Sequence, residues 1–509
     1  MLETLTRPMT GAEYLESLRD GRQVYIDGER VADVTVHPAF GNAARSISRL
    51  YDALHDPALR GALTATDRQG ILTHKFFKPS YSAQELCDAR DAIATWARFS
   101  YGFMGRTPDY KAAFLATLGA APEFYAPFTD NAARWYREYA TKVLFLNHVL
   151  VNPPVDRQRP THEVGDVYLH VVKDTDAGIY VSGAKMLATG SAITHATFVA
   201  QNTATHLEAG KAEDYALVFL APVDAPGQKL ICRRSYESTA TSPFDHPLSS
   251  RFDENDAVLV FDNAFIPWED VLVYRDTEKA TAFYPASGFP NRANLQSVTR
   301  LGVKLDFMCG LFARGLAANG TDAFRGAQVH LGEVIGWRNL IWALVDAMAH
   351  DPQPSLGGSV IPKTEHAGAA RLFATLAWPR VKEIFELVLG GSPIVVPSSH
   401  RDLEDPTLRP LLDRFYRGSE STAVERIKLF KLIWDTIGTE FGGRHELYER
   451  NYSGNHEQIR IDLLNATRRA GLMDRFVALV KQCMDEYDLD GWRTPPWRWD
   501  PRDAQGGQP

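Results

Sequence analysis

Residues 176–199 read DAGIYVSGAKMLATGSAITHATFV, and the chemistry of the stretch changes twice along its length. Ile179 and Val181 at one end and Phe198 and Val199 at the other are β-branched or aromatic, which favours strands. Gly178 and Gly183 punctuate the first run, and Thr189, Gly190, Ser191 and Thr194 make a polar middle. The pattern predicts a strand, a turn and a second strand. A loop of this kind offers hydroxyls and free backbone N–H groups to a flat, polar ligand. The alternative is an ordinary hairpin whose Ser and Thr side chains stabilise their own turn.

Outward from this stretch, the chain of 509 residues is long enough for two to four domains. A composition of 45% hydrophobic and 23% charged residues is that of a globular protein with a large core. No apolar run is long enough to span a bilayer, so no membrane partner is expected. The segment MLETLTRPMTGAEYLESLRDG has no basic stretch followed by an apolar one, so no secretion signal is expected. Net charge is −8 with Lys and Arg dispersed, which argues against nucleic acid as a partner. Cys87, Cys232, Cys309 and Cys483 form no C-x-x-C pair, as expected for reduced thiols in a cytoplasmic protein without a metal site.

The period of the pattern divides the chain. Helical signals run to about residue 147: Thr10 as an N-cap, an amphipathic run from Ser82 to Met104, and another from Asn131 to Asn147. Short strand-like runs follow between residues 166 and 273, as in a small β-barrel or sandwich. Within them the Ser/Thr-rich segment from Arg234 to Asp256 is expected to be irregular, as functional covers are. From about Arg292 long helices return, including Ala323–His350, His366–Leu389, Ser421–Ile437 and Glu457–Met484. The expected organisation is an N-terminal helical domain (1–147), a central β domain (148–280), a C-terminal four-helix bundle (281–490) and a tail (491–509).

Three further elements bear on chemistry. In YGFMGRTPDY (residues 101–110), Thr107 suits an N-cap, Pro108 the first helical position and Asp109 the positive end of a helix. Arg106 then lies just outside the helix and Tyr110 in its first turn, close enough to share one pocket; the alternative is an ion-paired Arg and a core Tyr. The second element runs from Asn147 to Arg157, NHVLVNPPVDR, with His148 where a helix is expected to end. The third is FGGRHELYERNYSGNH, residues 441–456.

Together with Gly183-Ala-Lys185-Met-Leu-Ala-Thr189-Gly190, these elements resemble the two-component, reduced-flavin-dependent phenol hydroxylases, typified by the large component of 4-hydroxyphenylacetate 3-hydroxylase. The resemblance covers nearly the whole chain and is strongest to the hydroxylases of tyrosine-derived groups in enediyne antibiotic assembly. It implies an α+β, acyl-CoA dehydrogenase-like fold: a helical domain, a small β-barrel domain and a helical bundle. It implies that Arg106, Tyr110 and His148 meet the substrate phenol and carry the chemistry. It places Asn152, Pro154, Val155, Asp156, Arg157, Thr189, Ser453, Gly454, Asn455 and His456 along FAD. Pro154 stands where the family pattern has Gln, which removes a hydrogen-bonding side chain. The loop with Asn202 and Thr203 would line the substrate pocket. It lacks an Arg to clamp a carboxylate, which favours a neutral, carrier-bound substrate over a free acid.

The implied reaction is ortho-hydroxylation of a phenol to a catechol, with O₂ as co-substrate, through a C4a-hydroperoxyflavin formed on FAD that a separate reductase has reduced. A homotetramer with flavin sites at its subunit contacts is also implied. Ring attack needs a phenolate. Moving a proton from a phenol (pKa about 10) to an imidazole (about 6.5) is uphill by roughly 5 kcal/mol. A guanidinium about 4 Å from the oxygen returns about 4 kcal/mol at an effective dielectric near 20, so Arg106 and His148 would act jointly. Two rivals share the fold. An acyl-CoA dehydrogenase would need a carboxylate base, and the aligned residue is Ser453. A non-catalytic flavin-binding protein would lack convergence of Arg106, Tyr110 and His148. There is no G-x-G-x-x-G, Walker loop or H-E-x-x-H, the motifs of Rossmann enzymes, NTPases and zincins.

Overall fold

The computed structural model describes residues 5–156, 158–201, 205–451, 454–493 and 497. The chain forms two compact units, residues 1–453 and 454–509. The first opens with α1 (Gly11–Ser17), α2 (Gly41–Ala53), α3 (Arg60–Leu63), α4 (Ala83–Arg98), α5 (Pro108–Ala120) and α6 (Thr129–Lys142). Between them lie β1 (Val24–Ile26), β2 (Glu29–Arg30), β3 (Thr64–Thr66) and β4 (Leu72–His74). Capping chemistry sets the starts. Glu13 N donates to the Thr10 hydroxyl at 3.3 Å while Thr10 N donates to the Glu13 carboxylate at 2.7 Å. Glu85 N donates to Ser82 Oγ at the start of α4.

The β region comprises β5 (Leu146–Val149), β6 (His170–Thr175), β7 (Gly178–Lys185), β8 (Ala196–Val199), β9 (Leu217–Pro222), β10 (Gln228–Cys232), β11 (Ala257–Pro267) and β12 (Val271–Tyr274), with α7 (Ser249–Phe252) between β10 and β11. Of the barrel or sandwich expected, the structure has two separate sheets. The strands form two open sheets, ordered β2-β1-β10-β11-β7-β6 and β12-β9-β8-β5. The sheets meet through buried aromatic residues such as Phe219 on β9 and Phe261 on β11, edge to face at 5.7 Å. The opening stretch is also not a hairpin: β7 pairs with β6 and β11, whereas β8 pairs with β5 and β9. Its polar middle is the crossover between the sheets.

The helix expected through Asn147 ends at Lys142, where Val143 takes a left-handed conformation. The apolar run Leu144, Phe145 and Leu146 then enters β5, a buried strand parallel to β8. An apolar run of this length suits a buried parallel strand as well as a helix. His148 is therefore a strand residue, not a helix-end residue.

The rest of the first unit is mainly helical, with α8 (Thr277–Ala286), α9 (Phe289–Ala318), α10 (Arg325–His350), α11 (Thr364–Leu389), α12 (Arg409–Phe415), α13 (Ala423–Ile437) and α14 (Glu440–Asn451), and a short antiparallel strand pair, Pro352–Pro354 with Val360–Pro362, between α10 and α11. Every residue from Arg292 to Leu305 of α9 is buried, so this helix is an axis with neighbours on all sides: α4, α5, α10, α11 and α13. The second unit holds α15 (His456–Arg469) and α16 (Leu472–Asp485), the expected single helix broken by Gly471 at φ +67°. Of the tail, residues 491–493 and 497 are described. Among the described residues no helix is long and apolar enough to cross a membrane.

Gly183 takes φ +121°, and a Cβ there would lie 2.5 Å from the Tyr168 carbonyl oxygen. Gly183→Ala is expected to destabilise the protein by about 2–4 kcal/mol, from the unfavourable backbone region and the clash. Thermal unfolding checks this; an unchanged Tm would show that β7 shifts without cost.

Candidate active site

The site begins where the chain enters α5. The Thr107 hydroxyl and Tyr110 N donate to the Asp109 carboxylate, and Gln296 Nε2 on α9 donates to the same oxygen at 3.3 Å. Burial raises the Asp109 carboxyl to about 6, against the hydrogen bonds from Thr107 and Gln296. Arg106 N, one residue before the helix cap, donates to Glu254. This fixes the Arg106 guanidinium 4.2 Å from the centre of the Tyr110 ring, a cation–π contact.

The Tyr110 ring lies 5.5 Å from the His148 ring, so Arg106, Tyr110 and His148 converge. Phe114 stands 5.4 Å from His148 and stacks on Phe198 and Phe289, giving the cluster an aromatic floor. Burial, then the charges of Lys111 and Arg106, hold His148 well below the ordinary imidazole range. Lys111 Nζ lies 2.8 Å from His148 Nδ1.

A second cluster adjoins through Glu254. Asp256 accepts hydrogen bonds from Arg444 at 2.7 and 2.9 Å, from Arg233 at 2.9 Å and from the Thr189 hydroxyl at 2.6 Å. Burial would raise the Asp256 carboxyl, but Arg444 and Arg233 outweigh it and hold it below the usual carboxylate range. Gly190 N donates to the Asn255 carbonyl, so the crossover of the opening stretch is anchored at two successive residues. The segment from Arg234 to Asp256, expected as a cover, ends in this buried anchor: Asp253, Glu254 and Asn255 are all inaccessible.

Tyr448 on α14 lies among Arg444, Arg300 and Arg106 at 5.2, 5.6 and 5.8 Å. A Cβ at Gly105 would fall on the Tyr448 hydroxyl, so only glycine allows this approach. Beneath, Glu449 takes Arg300 in a bidentate pair and Lys304 at 2.9 Å. Burial would raise the Glu449 carboxyl, but Arg300 and Lys304 outweigh it and hold it at about 2.

Buried polar atoms around these clusters without a partner among the described residues include Glu254 Oε2, Asn255 Oδ1, Arg444 Nη1 and Gln296 Oε1. Buried polar atoms are normally satisfied, and donors and acceptors left open together fit a ligand carrying both. The edge of a flavin ring, with its alternating N, N–H and C=O groups, has that character.

Helices around two open sheets, with cationic and aromatic side chains clustered at His148, fit a flavoprotein of the acyl-CoA dehydrogenase-like class. The family model described as 4-hydroxyphenylacetate 3-hydroxylase N terminal matches residues 10–273, and the corresponding C-terminal model matches residues 280–483. The chain belongs to this family. It is 56% identical over 492 residues to a pyoverdin chromophore biosynthetic protein of Pseudomonas aeruginosa, covering 97% of this chain and 98% of that one. It is 52% identical over 495 residues to a (3S)-3-amino-3-(3-chloro-4-hydroxyphenyl)propanoyl-[peptidyl-carrier protein] monooxygenase of Streptomyces globisporus, covering 96% and 93%. The crystal structure of the oxygenase component of 4-hydroxyphenylacetate 3-monooxygenase complexed with FAD and 4-hydroxyphenylacetate superimposes with a TM-score of 0.88 at 32% identity, covering 94% of this chain and 99% of that one.

Of the other residues assigned to the flavin, Asn152, Pro154, Val155 and Asp156 follow β5 just after Val151, which bridges to Met186 at the start of the crossover. Pro154 and Val155 are exposed, and Asp156 accepts from Gln158 N. Gly454, Asn455 and His456 belong to the second unit, where Asn455 caps α15. Arg157, Asn202, Thr203 and Ser453 lie outside the described residues. The sequence reading missed Lys111, Glu254, Asp256 and Gln296 as site residues. A Lys in the first turn of a helix reads as solvent-facing, and the acids close a segment without periodicity. Arg444 and Tyr448 lay in a quoted segment with no role assigned.

Glu449→Gln is expected to cost about 3–5 kcal/mol at neutral pH, because it strands two buried cations. The folded carboxyl is depressed, so its contribution is complete above the ordinary Glu value of about 4.3 and is lost as pH falls toward its folded value. Denaturant titrations should therefore show the gap to wild type narrowing below about pH 4; a gap independent of pH would contradict the assignment.

Proposed function

We propose that the chain is the oxygenase component of a two-component monooxygenase that converts a phenol to the ortho-catechol, using O₂ and FAD reduced by a separate reductase. The observation that carries this reading is the convergence of Arg106, Tyr110 and His148 above an aromatic floor. The balance is phenol, O₂ and reduced FAD to catechol, water and oxidised FAD.

Thr189, Asn152 and the backbone through Asp156 would hold the flavin on the crossover side, with Gly454, Asn455 and His456 proposed as further contacts. Bound reduced FAD would activate O₂ and supply the electrophilic oxygen. The protein's part is to make the ring electron-rich and keep it in place. Arg106 would hold the phenol oxygen as an anion, His148 would exchange the proton, and Tyr110 would hydrogen-bond the same oxygen. Phe114, Phe198 and Phe289 would close the pocket to water. The dehydrogenase alternative would need a base in place of Ser453, and the buried carboxylate of Glu449 does not supply one, because Arg300 and Lys304 hold it ionised.

Lys211, at the end of the expected substrate loop, is paired with Glu208 at 2.6 Å. That supports a neutral, carrier-tethered substrate over a free acid, with the protein working in the cytoplasm. The chain would assemble as a homotetramer. In support, α16 exposes Phe476, Val477, Leu479, Val480 and Met484, an apolar face of the kind that marks contacts between chains. Light scattering should give four copies for wild type and fewer for the Leu479→Glu, Val480→Glu double variant; a monomeric wild type would rule the assembly out.

The activity test supplies reduced FAD, O₂ and 4-hydroxyphenyl substrates, free and as thioesters. Wild type should form catechol. Arg106→Ala and His148→Ala should lose about 10²–10⁴-fold in hydroxylation while still consuming reduced flavin, with peroxide as the product. Full coupling in both variants would sink the reading.

A further inference from the structure

Lys111 has no role in the chemistry described so far, yet it is 1% exposed and directly behind His148. Its side chain reaches inward from the first turn of α5, 5.1 Å from the centre of the Tyr110 ring. Among the described residues it hydrogen-bonds only His148, at 2.8 Å to Nδ1, and forms no ion pair with a carboxylate. Lys304, the other fully buried Lys beside this site, differs in having the Glu449 carboxylate at 2.9 Å. A buried ammonium without a counter-charge is pressed toward the neutral amine. Burial, then the charge of Arg106, holds Lys111 well below its ordinary range, with Glu254 opposing. The charged and titratable groups facing the pair are Arg106, Glu254 and Tyr110; α9 and the body of α5 present Phe289 and Phe114 to His148.

We propose that Lys111 is the terminal acceptor of the substrate phenol's proton, reached through His148. The inference rests on the hydroxylase reading. The phenol O–H proton passes to His148 Nε2 as the Nδ1 proton passes to Lys111 Nζ. The ring ends as the opposite neutral tautomer, and the products are a phenolate and an ammonium. No net charge is created, and reversal returns the proton when product leaves. His148 never needs to persist as an imidazolium, which the neighbouring cations disfavour. The neutral amine offers a lone pair to the Nδ1 proton, and the phenolate left in the pocket supplies the counter-charge that a buried ammonium needs. Lys111 is thus a positioning residue: it acts through His148 and does not touch the substrate.

The test uses 4-nitrophenol, whose anion is yellow, bound anaerobically to the protein with reduced FAD and titrated with pH. Wild type should ionise the bound probe below its pKa in free solution. Lys111→Met should raise the apparent pKa of the bound probe by a unit or more and lower kcat for catechol tenfold or more, with KM changed less than threefold. Lys111→Gln keeps a hydrogen-bonding partner for His148 Nδ1, accepting through Oε1 or donating through Nε2, but cannot take up a proton, so it should behave like Lys111→Met. If Lys111→Gln behaves like wild type, Lys111 merely orients the imidazole and the relay is overturned. Wild-type coupling and probe ionisation in Lys111→Met would overturn it as well. A wild-type protein that forms no catechol from any phenol would overturn the hydroxylase reading itself, and the relay with it.

Discussion

The carboxylate of Asp256 is where three distant parts of the chain are tied together. Arg233 comes from the end of β10, Arg444 from α14, and Thr189 from the crossover between the sheets. The two guanidiniums keep Asp256 ionised despite burial, and the carboxylate in turn keeps them from being uncompensated buried cations. Once Asp256 is placed, Asn255 receives Gly190 N and Glu254 receives Arg106 N. The crossover loop and Arg106 are therefore held by three consecutive residues. Position passes along three residues of backbone and the carboxylates of Glu254 and Asp256.

The buried cations of the site fall into two groups. Arg300 and Lys304 share Glu449, and Arg444 and Arg233 share Asp256. These are closed pairs whose charge is already met, and their work is to hold Tyr448, Gly105 and the crossover. Lys111 and His148 share one hydrogen bond with no acid completing it. Low dielectric makes an unmatched charge costly, so this second group is sensitive to what enters the pocket. In the proposed reaction a phenolate would supply the anion that the protein withholds. Structural and chemical roles are separated in this way by the presence or absence of a carboxylate partner.

The aromatic floor depends on strand order. Phe198 lies on β8 and His148 on β5, and their parallel pairing places the two residues side by side. Phe114 from α5 stacks on Phe198 and on Phe289 from α9. Helix, sheet and central axis therefore contribute one ring each. The geometry of His148 follows from its being on a strand, because a helix end would aim the imidazole elsewhere.

Much was legible in the sequence where the determinant is local. The capping of α1 by Thr10 and Glu13, the entry into α5 through Thr107 and Pro108, and the placement of Arg106 and Tyr110 around that entry follow from residues within one turn of each other. The family resemblance likewise rests on short runs. What the sequence left open depends on partners far along the chain: Thr189 and Asp256 are 67 residues apart, and Arg444 and Asp256 are 188 apart. The sheet assignments of β7 and β8, the strand character of His148 and the burial of Lys111 belong to the same class. A capping box or a turn is selected by interactions among neighbours, so it is written where it acts. Strand order and the fate of a buried charge are selected by which elements meet. Only the tertiary structure decides that, because the free energy of burial is set by the whole surrounding and not by the residue.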